Sequence, residues 1–121
     1  MTMEADLTTQ LKTLCPHVFP DVAPSGTAAP YITYQHIGGQ PLQWLDGTAA
    51  DKRHTLMQIN VWAPTRLAAL ALARQVDALI SSVSTMPFMA QPENEPTGVV
   101  ETDLAAPLYG CMQDFRIISA R

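Results

Sequence analysis

Between Thr55 and Trp62 the chain alternates, with Met57, Ile59 and Val61 set against Gln58 and Asn60. A period of two sends successive side chains to opposite sides of a pleated strand, so this stretch predicts a strand with one buried face. Leu56 and Trp62 fall among the polar positions, which implies that the second face is not fully wet. Pro64 follows at once, and Thr65 is placed to cap the next element. From Thr65 to about Ser82 the period lengthens. Ala69, Leu72, Val76, Leu79, Ile80 and Val83 make one apolar stripe, while Arg66, Arg74, Asp77 and Ser81 lie off it. That is an amphipathic helix. Arg74 and Asp77 are three apart, a spacing that permits a weak pair.

The rest of the chain is read the same way. Leu7, Leu11 and Leu14 share one helical face, Glu4 and Asp6 suit the positive end of a helix dipole, and Pro16 is a stop. These predict a first helix over Glu4 to Cys15. Prolines at 20, 24 and 30 make Val18 to Pro30 an extended loop. Tyr31 to Ile37 is a strand ending at Gly38-Gly39, and Leu42 to Leu45 a short second strand ending at the turn Asp46-Gly47. Pro87, Pro92 and Pro96, with Glu93 and Glu95, make a broken, acidic segment. Val99 to Thr102 is a fourth strand. Leu108 to Ser119 is a fifth, with Tyr109, Cys111, Phe115 and Ile117 on one face. The predicted order is α-β-β-β-α-β-β. It implies an α+β domain over residues 1–121, a single sheet of about five strands with two helices packed on one face.

Composition narrows the function classes. Of 121 residues, 47% are hydrophobic and 15% charged, which suits one packed domain with some surface covered by partners. The net charge is -4, and the one adjacent basic pair is Lys52-Arg53. A nucleic-acid binder needs a basic patch to replace phosphate counterions, so sequence-specific nucleic acid is not an expected partner. Met1 to Leu14 is polar and predicts no signal peptide, and no apolar run reaches the length of a membrane span. Cys15 and Cys111 read as buried, reduced thiols.

Candidate chemistry is sparse. His17, with Asp21 four residues on, and His54, with Asp51 three back, each lack a third ligand nearby. His36 alternates with Ile32 and Tyr34 and reads as a polar residue of the core. Gly38-Gly39 lacks the lysine and helix of a phosphate loop, and Ser25-Gly26 and Ser81-Ser82 lack a nucleophile's setting. No enzyme activity, cofactor or metal is expected. Trp44, Trp62 and Tyr109 are core residues by default. Trp62, on the wetter side of its strand, is the best candidate for burial against another subunit.

Certain words of the sequence go further. Phe19-Pro20-Asp21-Val22-Ala23-Pro24 is followed by Pro30-Tyr31-Ile32-Thr33-Tyr34-Gln35-His36-Ile37-Gly38-Gly39. Leu45-Asp46-Gly47 and Met57-Gln58-Ile59-Asn60-Val61-Trp62-Ala63 come next, then Leu108-Tyr109 and Asp114-Phe115-Arg116-Ile117. This ordered set, from about Leu7 to Ile117, resembles the tail-completion (tail-terminator) proteins of long-tailed phages and prophages. The resemblance implies an α+β fold and a ring, usually hexameric, that caps a finished tail tube and presents a docking surface to the head connector. Partners would be other copies of the chain, the tail-tube protein and the head-completion or connector protein. DNA would pass through the ring. The place of action would be the virion, assembled in the host cytoplasm. Trp44, Asp46, Trp62, Glu93, Glu95 and Tyr109 are the expected interface residues. Phe88 to Asp103 departs from the family pattern. Two other readings stand beside this one: a head-completion adaptor of the neck, and a small cytoplasmic ligand-binding or enzyme subunit.

Overall fold

A computed structural model describes residues 2–40, 52–82, 86–102 and 106–120. The alternation read in the middle of the chain becomes a 12-residue strand at the centre of the sheet. In chain order the elements are α1 (Met3–Leu11), β1 (Val18–Pro20), β2 (Tyr31–Gln40), β3 (Lys52–Ala63) and α2 (Arg66–Ile80). They are followed by β4 (Met89–Pro92), β5 (Thr97–Glu101) and β6 (Leu108–Ala120). Threonine side chains open both helices: Thr2 accepts from the Ala5 N–H and Thr65 from the Ala68 N–H, each at 3.1 Å. The first helix ends four residues before its expected limit at Cys15. Beyond Leu11 the Thr13 and Leu14 N–H groups turn to carbonyls three residues back, and the chain tightens ahead of Pro16.

The six strands form one mixed sheet in the order β1-β2-β3-β6-β4, with β5 also paired to β6. The β2–β3, β3–β6, β4–β6 and β5–β6 pairs are antiparallel, and β1 runs parallel to β2. This is the expected α+β class, with six strands rather than about five. Two strands depart from the expected pattern. β1 lies inside the supposed Val18–Pro30 loop, and β4 inside the broken segment after Pro87. The short strand expected at Leu42 to Leu45 lies outside the described residues. The strands on either side of it, β2 and β3, pair directly with each other.

Register sorts the side chains onto two faces. Ile32 opposes Val61, Tyr34 opposes Ile59, Met57 opposes Phe115 and Val61 opposes Cys111. All of these are buried, and they form one cluster with Leu7 and Leu11 of α1 and Ala69, Leu72, Ala73, Val76 and Ile80 of α2. Both helices cover that face. Leu79, expected in the stripe, sits half-buried at its margin, and Val83 lies outside the described residues. Among the described residues no helix lies over the second face. It carries Tyr31, Thr33 and Gln35 from β2, Gln58, Asn60 and Trp62 from β3, and Gly110, Met112 and Asp114 from β6.

Close approach explains two glycines. A Cβ on Gly39, at φ 136°, would collide with the His54 carbonyl across the β2–β3 pair. A Cβ on Gly110 would lie 2.8 Å from the Trp62 ring. Glycine there lets the indole lie down on β6.

Candidate interaction surface

Trp62 stands at one end of the helix-free face, in the terminal pair of β2 and β3. Register places it beside Tyr31 on one side and Gly110 on the other. Its ring stacks on Tyr31 with centroids 6.4 Å apart at 29°, a spacing within the range of favourable aromatic pairs. Both rings stay half-exposed. The chain reverses after β1 through Asp21, whose φ of 63° is the left-handed region that Asp tolerates better than most residues. The Asp21 N–H is held by the Tyr34 carbonyl at 2.8 Å. This turn brings Asp21 and the 76%-exposed Val22 to the rim of a hollow beside the two rings. Thr33 and Asn60, both buried, line the same hollow. Burial, and after it the charge of Glu101, push the Tyr31 hydroxyl above the usual tyrosine range.

The other expected interface residues are dispersed. Tyr109 projects from the opposite face of the sheet, paired with Ala63 and packed against the core. The Arg66 guanidinium lies 5.4 Å from its ring centroid and donates to the Gly110 and Val99 carbonyls at 2.8 Å each. Arg66 thereby ties the start of α2 to β5 and β6. Glu93 pairs with Arg116 at 3.0 Å, and Glu95 is exposed in the turn between β4 and β5. Trp44 and Asp46 lie outside the described residues. Asn60 shares the Trp62 strand two residues before it, but the other company is not revealed by sequence spacing: Tyr31 comes from β2 and Asp21 from the turn after β1.

The broken Pro87–Pro96 segment is hydrogen-bonded to β6 through Asn94. The Asn94 amide nitrogen donates to Asp114 Oδ2, Asn94 Oδ1 accepts from the Asp114 N–H, and Gln113 Nε2 donates to the Asn94 carbonyl, all within 3.1 Å. The expected Arg74–Asp77 pair is not made. Asp77 accepts from Ser81 Oγ at 3.1 Å instead.

Ionisable side chains gather at one further place. Glu4 Oε1 lies 3.0 Å from His36 Nε2 and 3.0 Å from the Arg53 guanidinium, joining α1 to β2 and β3. Partial burial alone would raise the Glu4 carboxyl. The Glu4 backbone N–H, the His36 hydrogen bond and the Arg53 and His36 charges outweigh it and hold the group below the ordinary range. A carboxyl depressed in the folded state contributes stability above its unfolded value, and that contribution fades as pH falls through the folded value. Denaturant unfolding from pH 7 down to pH 3 is therefore expected to show an acid limb beginning near 4.5, shallower in Glu4→Gln. Equal acid slopes for parent and variant would remove Glu4 from the account. His17 is exposed, His54 is half-buried on β3, and both cysteines are buried and free. Cys15 Sγ lies 3.3 Å from the Pro30 carbonyl. Among the described residues no three His, Cys, Asp or Glu side chains converge as metal ligands, and no helix is long and apolar enough to cross a membrane.

A family model, Tail completion protein gp17, matches residues 4–118. No curated protein matches the chain. Among 24 solved chains that match, one is similar over 98% of this chain and 91% of its own, at 15% identity and a TM-score of 0.59. At that identity the likeness concerns the fold alone.

Proposed function

Because the chain belongs to the Tail completion protein gp17 family, and so among phage tail structural proteins of virion assembly, we propose that it is one subunit of a ring that closes the head end of the tail tube. The ring, a hexamer in this reading, stops tube polymerisation and offers its outer surface to the head connector. Its partners are then further copies of itself, the tail-tube protein and the connector, with DNA passing through without being gripped. The observation that carries this reading is the span of the family match, which takes in every element from α1 to β6. Two physical features support it. The net charge of -4 suits a passage that must not hold phosphate. The sheet also has one face that no helix covers among the described residues, on which Trp62 and Tyr31 stand half-exposed, and aromatics are enriched at subunit contacts.

Assembly in the host cytoplasm without this protein is the direct test. Capsids and tube subunits are expected to be intact, with tails of uncontrolled length or tails that do not join heads, scored by electron microscopy. Normal-length, head-joined tails would rule the reading out. Tails of normal length that stay unattached would assign the protein to head completion instead.

A further inference from the structure

The hollow beside Trp62 is a built recess. It measures about 190 Å³ and is walled by the Asp21–Ala23 turn on one side and by the stacked rings on the other. A water molecule's share of the liquid is about 30 Å³, so the recess suits a side chain of several heavy atoms. Its one charged lining group is a carboxylate. Asn60 is only 7% exposed, and its Oδ1 is buried with no partner among the described residues. The amide nitrogen of the same side chain donates to Thr33. Asp21 places a carboxylate at the rim, and the charge of Glu101 reaches Tyr31 from the β5 side. The Asp21 carboxylate, the nearby charge of Glu101 and two aromatic faces together fit a guanidinium or ammonium group.

The chain carries such a group on its other side. Leu67, Ala71, Arg74 and Ala78 follow one another by four, three and four residues along α2, which aligns them on the helix face away from the sheet. All four are exposed, Leu67 by 79%. Arg74 makes no ion pair or hydrogen bond among the described residues. Its neighbours Ala71 and Ala78 are small, so a second surface can close around its stem.

From these observations we propose that the hollow receives Arg74 of a second copy, the outer face of α2 on one subunit seating against the helix-free face of the next. The proposal rests on the ring reading and names its contact. Donor and acceptor patches differ, so the contact is head-to-tail, the kind from which rings close.

Sedimentation of the full-length protein, alone and with purified tail tubes, tests it through charge. Arg74→Glu is expected to weaken subunit association roughly tenfold or more. Asp21→Asn, which keeps a residue tolerant of the left-handed turn, is expected to weaken the parent mildly yet restore part of the loss in Arg74→Glu. Lys12→Glu makes the same change in net charge from an exposed site at the end of α1 and is expected to associate as the parent does. A second test is covalent. With Val22→Cys and Ala71→Cys in one chain, oxidation is expected to give a ladder of linked subunits, while each single variant gives none. Cys15 and Cys111 are buried and stay out of the reaction.

If the parent assembles and Arg74→Glu assembles equally well, the contact is wrong while the ring survives. A missing ladder, or Val22→Cys alone linking to itself, likewise overturns the contact and spares the ring. If the parent forms no larger species under either condition, the ring reading fails and takes this contact with it.

Discussion

Phe115→Ala is expected to cost about 3–5 kcal/mol, the range for truncating a buried aromatic to a methyl group. Phe115 is 0% exposed. It lies on β6, opposite Met57 of β3 on one side and Pro92 of β4 on the other. That strand joins β3, β4 and β5 and lies under α2, so a cavity at its centre loosens contacts in four elements at once. Little can collapse to refill it, since Met57 and Ile117 are themselves fully buried. A domain of this size has roughly 5–15 kcal/mol in total, so the variant would be folded but marginal. Urea unfolding should show a lower midpoint with an unchanged slope. A midpoint equal to the parent's would mean that β6 is not the spine of the sheet.

The legible parts of this fold are those in which burial on one side writes a period into the chain. Met57, Ile59 and Val61 do so for β3, and Ala69, Leu72, Val76 and Ile80 for α2; all seven are buried on the helix-covered face. β1 and β4 write nothing comparable. β1 has three residues and ends in Pro20, and its partner Ile32 is fourteen positions away. β4 is mostly exposed, and it is held to β6 beside a turn whose clamp is the side chain of Asn94 on Asp114. Hydrogen bonds of that span leave no local pattern.

The interaction surface divides in the same way. Trp62 stands out as a large aromatic on the wetter side of a strand. Tyr31 becomes its neighbour only through β2–β3 register, and Asp21 only through a turn after the short strand β1. That Asn60 has an unused oxygen depends on who its neighbours are, and composition carries no trace of it. Tyr109 has the same residue chemistry as a contact candidate, yet its ring is occupied by Arg66 of its own chain.

This difference between Trp62 and Tyr109 gives the sharpest functional expectation. Trp62→Ser should leave a folded, cooperative protein. The ring is half-exposed and lies on the face away from the main core, so its loss should cost roughly half of the 3–5 kcal/mol of a fully buried aromatic. Assembly should suffer far more. A central aromatic at a subunit contact is worth at least about 2 kcal/mol, some thirtyfold in association, and a closed ring multiplies that loss around its circumference. Trp62→Ser supplied in place of the parent is therefore expected to give the tails seen when the protein is absent. Tyr109→Ser should behave in the opposite sense. It removes the ring that Arg66 covers and so lowers the melting temperature, but it leaves the Trp62 face intact and should support joined tails at permissive temperature. Thermal melts and electron micrographs of the same two variants distinguish the cases. Normal joining by a well-folded Trp62→Ser protein would remove the helix-free face from the assembly, whatever the ring's other contacts prove to be.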